Sequence, residues 1–199
     1  MKRIGFLTSG LILMIVLATG CAKLPQTELD AAKAAVESSK SVEANRYLAT
    51  EFNALQDSLN STTIALEAER SKFFISRNYK AVTEKLVQIT ADAEALNLRT
   101  EERKAEVRTE VQDALAALSA LIQEDKDLLA KAPKGKEGKA ALEAIQTDIT
   151  LIEASVNEIN TLIANGDYLT AQDKVNASKV KAESIKEELS AAIAKTKRR

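Results

Sequence analysis

The feature that most constrains the fold is a long stretch without helix-breaking residues. Between Gln26 and Ala132 the sequence contains neither glycine nor proline, and it is rich in Ala, Leu, Glu, Lys and Gln. These residues lose little side-chain freedom in a helix, whereas Gly and Pro are the residues that disfavour a helix most. The stretch therefore predicts an all-α protein, and the remaining question is where its helices begin and end.

Apolar residues recur at intervals of three and four, which is the spacing of one face of an α-helix. Polar or breaking segments at 77–78, near Thr100, at 131–139 and at 166–167 interrupt this stripe. We expect five helices, with bounds of about 27–45, 49–76, 79–131, 139–165 and 168–195. Their predicted buried faces, in chain order, are Leu29, Ala32, Val36 and Ser39; Phe52, Leu55, Leu59, Thr62, Leu66 and Phe73; Tyr79, Val82, Leu86, Ile89, Ala93, Leu96, Val107, Val111, Leu115, Leu118, Ile122 and Leu129; Leu142, Ile145, Ile149, Ile152, Val156, Ile159 and Ile163; and Tyr168, Ala171, Val175, Ser178, Ala182, Ile185, Leu189 and Ala192.

A helix with one apolar stripe buries it against neighbouring helices, and short turns make consecutive helices antiparallel. The polar gap near Thr100 divides the third helix into two halves, which we expect to pack against different helices. We expect two elongated antiparallel three-helix bundles, over residues 27–98 and 99–199, that share this long central helix. The layout is similar in architecture to tandem spectrin repeats. A kink between Asn97 and Arg103 is the alternative.

The N-terminus carries the pattern of an export signal. The basic pair Lys2-Arg3 precedes an apolar run (4–17), and small residues (18–20) stand directly before Cys21, which is the single cysteine of the sequence. The run is shorter than the roughly 20 residues of a membrane-spanning helix. One cysteine cannot form an internal disulfide, but its thiol can be acylated. An ordinary secretory signal, or a membrane helix with an incidental cysteine, is the alternative.

This arrangement closely resembles the lipobox of bacterial lipoprotein signals, although Ala18 stands where that family more often has Leu. The resemblance implies removal of a signal peptide (1–20), lipidation of Cys21 and a lipidated tether over residues 21–26. It also implies a location in the cell envelope. Because Ala22 rather than Asp follows the cysteine, the resemblance favours the outer membrane, facing the periplasm, over the inner membrane.

Two further motifs, Asn78-Tyr79-Lys80-Ala81 and Gly166-Asp167-Tyr168-Leu169-Thr170-Ala171, resemble an uncharacterised family of Ala-rich bacterial envelope lipoproteins. Members have a first helix, a Tyr-containing corner and a long hairpin that turns at a "GDY..A" motif. The resemblance covers residues 25–96, with 139–195 as a partial echo, and it implies a helical domain of unknown function. Members often carry a peptidoglycan-binding domain that these residues do not show. The same turn occurs in tetratricopeptide repeats, whose helices are about half as long as those expected here.

Composition excludes several kinds of active site. The sequence has no histidine, which excludes imidazole catalysis and His-ligated metals. Its carboxylates alternate with Lys and Arg on solvent-facing positions, as on a solvated helix face. Loss of residues 1–20 changes the formal net charge from −1 to −3, which gives no general attraction to nucleic acid. We therefore predict a protein that is not an enzyme and that has no cofactor, metal site or nucleic-acid partner.

Two surface regions are candidate contacts for a partner. Phe73 and Phe74, together with Tyr79, mark an apolar corner between helices, for which closure of the core is the alternative explanation. Lys134 and Lys136 lie in a basic turn, for which the alternative is charge balance at a helix C-terminus. Apart from the membrane, reached through lipid on Cys21, the expected partner is another envelope protein or peptidoglycan. The predicted role is a helical scaffold, spacer or docking module, and the alternative is a periplasmic chaperone or a module that binds apolar ligands.

Overall fold

The computed structural model describes residues 23–133 and 138–197, with side chains as far as Lys195. Within these ranges the chain is all-helical and has no strands, so the prediction of an all-α protein is confirmed. The six α-helices of this described part are α1 (Gln26–Ser41), α2 (Ala44–Tyr47), α3 (Ala49–Ser71), α4 (Lys80–Lys131), α5 (Lys139–Ala164) and α6 (Tyr168–Lys197). Internal contacts divide the chain into an N-terminal unit that ends at Thr100 and a C-terminal unit that begins at Glu101.

The core of the N-terminal unit is supplied by α1, α3 and the first part of α4. Their buried apolar residues form one cluster, against which Leu24 also packs. Ser39 Oγ on α1 donates a hydrogen bond to the carbonyl oxygen of Ala93 on α4 at 3.3 Å, and Asn97 Nδ2 donates to Ser38 Oγ at 3.3 Å. The stripe residues predicted for these helices are buried, with the exception of Phe73.

The first helix is shorter than its sequence predicts. It ends at Ser41 rather than at residue 45, and the four-residue α2 follows it. The break lies at Glu43, whose positive φ of 66° places it in the left-handed region. Its N–H donates to the carbonyl oxygen of Lys40 at 2.9 Å, and its carboxylate pairs with Arg46 at 2.5 Å. The prediction of one helix over 27–45 is therefore wrong. Residues other than glycine rarely adopt a left-handed backbone conformation, so a glutamate at this position gave no sign in the sequence that the helix ends here.

The C-terminal unit contains the rest of α4 together with α5 and α6. Ion pairs join each two of these helices: Lys126 with Glu153 at 2.5 Å between α4 and α5, Lys186 with Glu124 at 2.8 Å between α4 and α6, and Lys174 with Glu158 between α5 and α6. Large aliphatic residues from all three helices, such as Leu118, Ile149 and Leu189, are fully buried. Among the described residues, no helix combines the length and the apolar character that crossing a membrane requires.

The turn between α5 and α6 follows the predicted position closely. Gly166 has a φ of 80°, a conformation that glycine adopts without steric cost. Its N–H donates to Ile163 O at 3.1 Å, and the N–H of Asp167 donates to Leu162 O at 3.0 Å. These two bonds form a Schellman motif, which satisfies the last carbonyl groups of α5 and ends that helix.

Candidate functional site

The corner between α3 and α4 exposes three consecutive large apolar side chains. Phe73, Phe74 and Ile75, here called the corner triad, are 66 %, 58 % and 75 % exposed. The two phenylalanine rings pack against each other with their centroids 4.8 Å apart. The prediction that Phe73 extends the buried stripe of the second helix is wrong. Helix α3 ends at Ser71 rather than at residue 76, so the Phe73 side chain leaves the seam.

Hydrogen bonds from polar side chains fix the shape of this corner. The carboxylate of Glu69 accepts from Lys72 Nζ at 2.6 Å and from the N–H of Asn78 at 3.2 Å. These two bonds, chiefly the one from Lys72, hold the pKa of Glu69 below its ordinary value. Arg77 Nε donates to the carbonyl oxygen of Lys72 at 2.9 Å, and the N–H of Lys80 donates to Asn78 Oδ1 at 3.1 Å. The triad is therefore presented on a turn of defined geometry.

Tyr79 does not share the exposed surface of the corner. Its side chain is only 5 % exposed and belongs to the core cluster of the N-terminal unit. Helix α4 begins at the next residue, so the ring points into the seam of that helix. The structure thus separates Tyr79 from Phe73 and Phe74, with which the sequence grouped it, and the surface of the corner is formed by the triad instead.

The remaining predicted site residues lie outside the described residues. Cys21 precedes the first described range, and Lys134 and Lys136 fall between the two ranges. Just after that gap, Lys139 is exposed, with its Nζ 3.8 Å from Glu143 Oε1. Lipidation of Cys21 and the role of the basic turn therefore stay predictions.

A buried carboxyl group that the sequence analysis did not single out lies in the C-terminal unit. Asp125 on α4 is 0 % exposed, and neither of its carboxylate oxygens has a hydrogen-bond partner among the described residues. Burial, and after it the charge of Glu124, raises the pKa of Asp125 to about 6, while Lys186 acts to lower it. The sequence does contain a sign of this buried carboxyl group. Between Ile122 and Leu129 the three-four spacing of α4 requires one more residue on the buried face, and Asp125 stands at that position in place of an apolar residue.

Asp125 alone does not make an acid–base site. Such chemistry needs a second functional group and a cleft that admits a substrate. The two charged groups that act on its pKa, Glu124 and Lys186, are already paired with each other at 2.8 Å. In the part of the chain that the structure describes, no group of three or more His, Cys, Asp or Glu residues could hold a metal ion.

Several concave regions among the described residues are grooves that run along pairs of helices. One, of about 480 Å³, lies between α4 and α5 and includes Leu129, Ala130 and Leu142 in its lining. Another, of about 200 Å³, lies between α5 and α6 beside Leu151 and Ser155. These grooves are open to solvent, whereas sites for small apolar ligands usually enclose most of the ligand surface.

No protein-family model matches the chain, and no curated protein or solved structure shows significant similarity to it.

Proposed function

We propose that this chain is a non-enzymatic bacterial envelope lipoprotein, held to a membrane by lipid on Cys21, that acts as a helical scaffold, spacer or protein-docking module. The observation that carries the proposal is the order of features at the N-terminus: a basic pair, an apolar run, small residues and then the single cysteine. A diacylglyceryl group contributes two acyl chains, and two chains are what stable anchoring requires. The residue after the cysteine, Ala22, favours the outer membrane.

The geometry next to the anchor supports a short tether. Leu24 packs against the core cluster of the N-terminal unit, Pro25 is buried, and α1 begins at Gln26. Only two residues separate Cys21 from Leu24. Since an extended chain advances at most about 3.5 Å per residue, the acylated cysteine would lie within roughly 10 Å of the folded domain.

We also infer that each unit is an antiparallel three-helix bundle and that both units use α4. The shared core cluster of α1, α3 and α4 supports this inference for the N-terminal unit. The ion pairs between each two of α4, α5 and α6 support it for the C-terminal unit. Seams filled with closely packed aliphatic side chains make rigid modules, which suits a spacer or scaffold.

The outer surfaces of the helices offer docking positions. Leu151 on α5 and Val180 on α6 are large apolar residues that are well exposed. The corner triad and the basic turn of Lys134 and Lys136 are further candidate contacts. The proposed partner is another envelope protein or peptidoglycan, reached from the membrane to which the lipid confines the chain.

Photo-crosslinking in intact cells tests this proposal. A photoreactive amino acid is placed at position 151 or at position 180, in the otherwise native chain and in a Cys21→Ser chain. We expect discrete crosslinked products from the lipidated chain and their loss from the Cys21→Ser chain, because the anchor places the docking surface beside its partner. Identical products from both chains would contradict a role for the anchor in presenting this surface.

A further inference from the structure

We propose that the corner triad is a second membrane contact: Phe73, Phe74 and Ile75 enter the interfacial layer of the same lipid surface that holds the acyl chains of Cys21. The inference rests on the proposed function, since it takes the lipid on Cys21 as given. It goes further by assigning an occupant to the exposed corner. That occupant is a phospholipid surface.

The side chains of the triad have the chemistry that a lipid interface favours. Two aromatic rings and one branched aliphatic chain are exposed together on a single turn, where they are unfavourably hydrated. Side chains such as Phe are typical of the apolar face of segments that bind in the interface of a membrane. Because hydrogen bonds around Glu69 and Asn78 fix this turn, little conformational entropy is lost when the three side chains enter lipid together.

Helix register places the triad at the same end of the N-terminal unit as the tether. The chain reverses between α1 and α3 and again between α3 and α4, so α1 and α4 run in the same direction. Ser39 lies against Ala93, and each stands thirteen residues after the first residue of its helix, Gln26 or Lys80. With an equal rise of 1.5 Å per residue, the two helices begin at about the same level. The corner joins α3 to the beginning of α4, so it lies at that level too.

The reach of the tether brings this end of the unit close to the lipid. Leu24 is already packed against the core, which leaves Ala22 and Lys23 between it and the acylated cysteine. This segment spans at most roughly 10 Å. A protein held so closely by its lipid keeps the corner within reach of the membrane surface.

Charge balance around the corner indicates that apolar burial, rather than attraction to anionic lipid, drives the contact. Three cations beside the triad have carboxylate partners: Arg70 with Glu67 at 3.5 Å, Lys72 with Glu69 at 2.6 Å, and Lys80 with Glu84 at 4.0 Å. Arg77 donates to the carbonyl oxygen of Lys72 instead, so one positive charge is left without a carboxylate partner among the described residues of the corner. Since little positive charge is left to attract anionic lipid, the contact should form on zwitterionic lipid and should change little with ionic strength.

The absence of tryptophan from the sequence allows a direct test. Phe74→Trp provides one indole in the triad, and Leu98→Trp provides a matched control on α4 at a side chain that is 71 % exposed. Leu98 lies eighteen residues beyond the start of α4, about 27 Å along the helix. Each full chain is produced in cells, purified with its lipid, and reconstituted into phosphatidylcholine vesicles with or without bromine on the acyl chains.

We expect the indole of the lipidated Phe74→Trp protein in vesicles to emit at shorter wavelength than the indole of a Phe74→Trp protein that also carries Cys21→Ser and is dissolved in buffer without detergent. Brominated lipid should quench the emission of the protein in vesicles. The indole of Leu98→Trp should show neither effect. Equal quenching of both variants would mean that the unit lies along the membrane without a specific corner contact, and it would overturn the inference. A blue shift that occurs without vesicles and grows with protein concentration would assign the triad to a second copy of the chain instead.

Flotation of the vesicles and the mass of the N-terminal peptide separate the two proposals. If Cys21 is acylated and the protein floats, but brominated lipid leaves the Phe74→Trp emission unchanged, the triad proposal alone is wrong. If Cys21 carries no lipid and the protein does not float, the proposed function is wrong, and the triad proposal fails with it.

Discussion

At the scale of single residues, Asp125 occupies a seam position of α4 where an aliphatic side chain would normally pack. A carboxyl group removed from water without hydrogen-bond partners favours its neutral form, and this is why burial raises its pKa. The buried position could be predicted from the stripe spacing. The shift in its pKa could not, because it depends on how completely the folded unit excludes water from that position and on the charges of Glu124 and Lys186.

The raised pKa of Asp125 predicts a specific dependence of stability on pH. Between the ordinary value of 3.8 and the folded value of about 6, the folded state binds more protons than the unfolded state. The contribution of Asp125 to the free energy of unfolding should therefore fall as the pH rises from about 4 to about 6, by roughly 2 to 3 kcal/mol, and stay lower above that range. Asp125→Leu should remove this decrease and raise stability at pH 7 by roughly 1 to 3 kcal/mol. Urea unfolding followed by circular dichroism, at about pH 4 and at pH 7, measures both effects.

The matched control for this substitution is Asp113→Leu, which changes an exposed aspartate of the same helix. Its effect on the free energy of unfolding at pH 7 should stay within about 0.5 kcal/mol. If Asp125→Leu behaved like Asp113→Leu, the carboxyl group of Asp125 would have to be hydrated, and its assignment to the core would be wrong.

At the scale of helices, the pattern of burial could be predicted better than the helix ends. Three-four spacing identified buried positions because helix geometry alone decides which residues share a face. The break at Glu43 and the end of α3 at Ser71 could not be predicted in this way. The first depends on a left-handed residue other than glycine, and the second depends on Glu69 bonding to Lys72 and Asn78 across the corner.

A pair of neighbouring leucines tests the assigned face of α4. Leu96 is buried in the core cluster, whereas Leu98, two residues later, is exposed. Leu96→Ala should lower the free energy of unfolding by about 2 to 5 kcal/mol, because it leaves a cavity in the seam. Leu98→Ala should change it by less than about 0.5 kcal/mol. Chemical unfolding of the two variants measures the difference, and similar losses from both would show that the face is wrongly assigned.

At the scale of the whole molecule, composition and spacing were sufficient to predict an all-α chain, but they did not decide which side chains of the corner are exposed. The sequence placed both Phe73 and Tyr79 on buried stripes and also grouped both with the apolar corner. The structure separates them: Phe73 is exposed because α3 ends before it, and Tyr79 is buried directly before the start of α4. The side chains that a corner exposes thus depend on where the two helices end and begin, and three-four spacing does not define these positions.

The proposed function requires that a folded helical domain be retained at a membrane by lipid on Cys21. The most direct test separates washed membranes from the soluble fraction of cells that produce the native chain or the Cys21→Ser chain. In this test the Cys21→Ser chain is exported on an ordinary cleavable secretory signal in place of residues 1–20, so that the apolar run of the native signal cannot retain it. We expect the native chain to sediment with membranes and to carry acyl mass on its N-terminal cysteine. The Cys21→Ser chain should be recovered as soluble, helical protein, because a triad without acyl chains binds reversibly and is lost on washing. Retention of this Cys21→Ser protein in the washed membranes would show that the lipid is not the anchor.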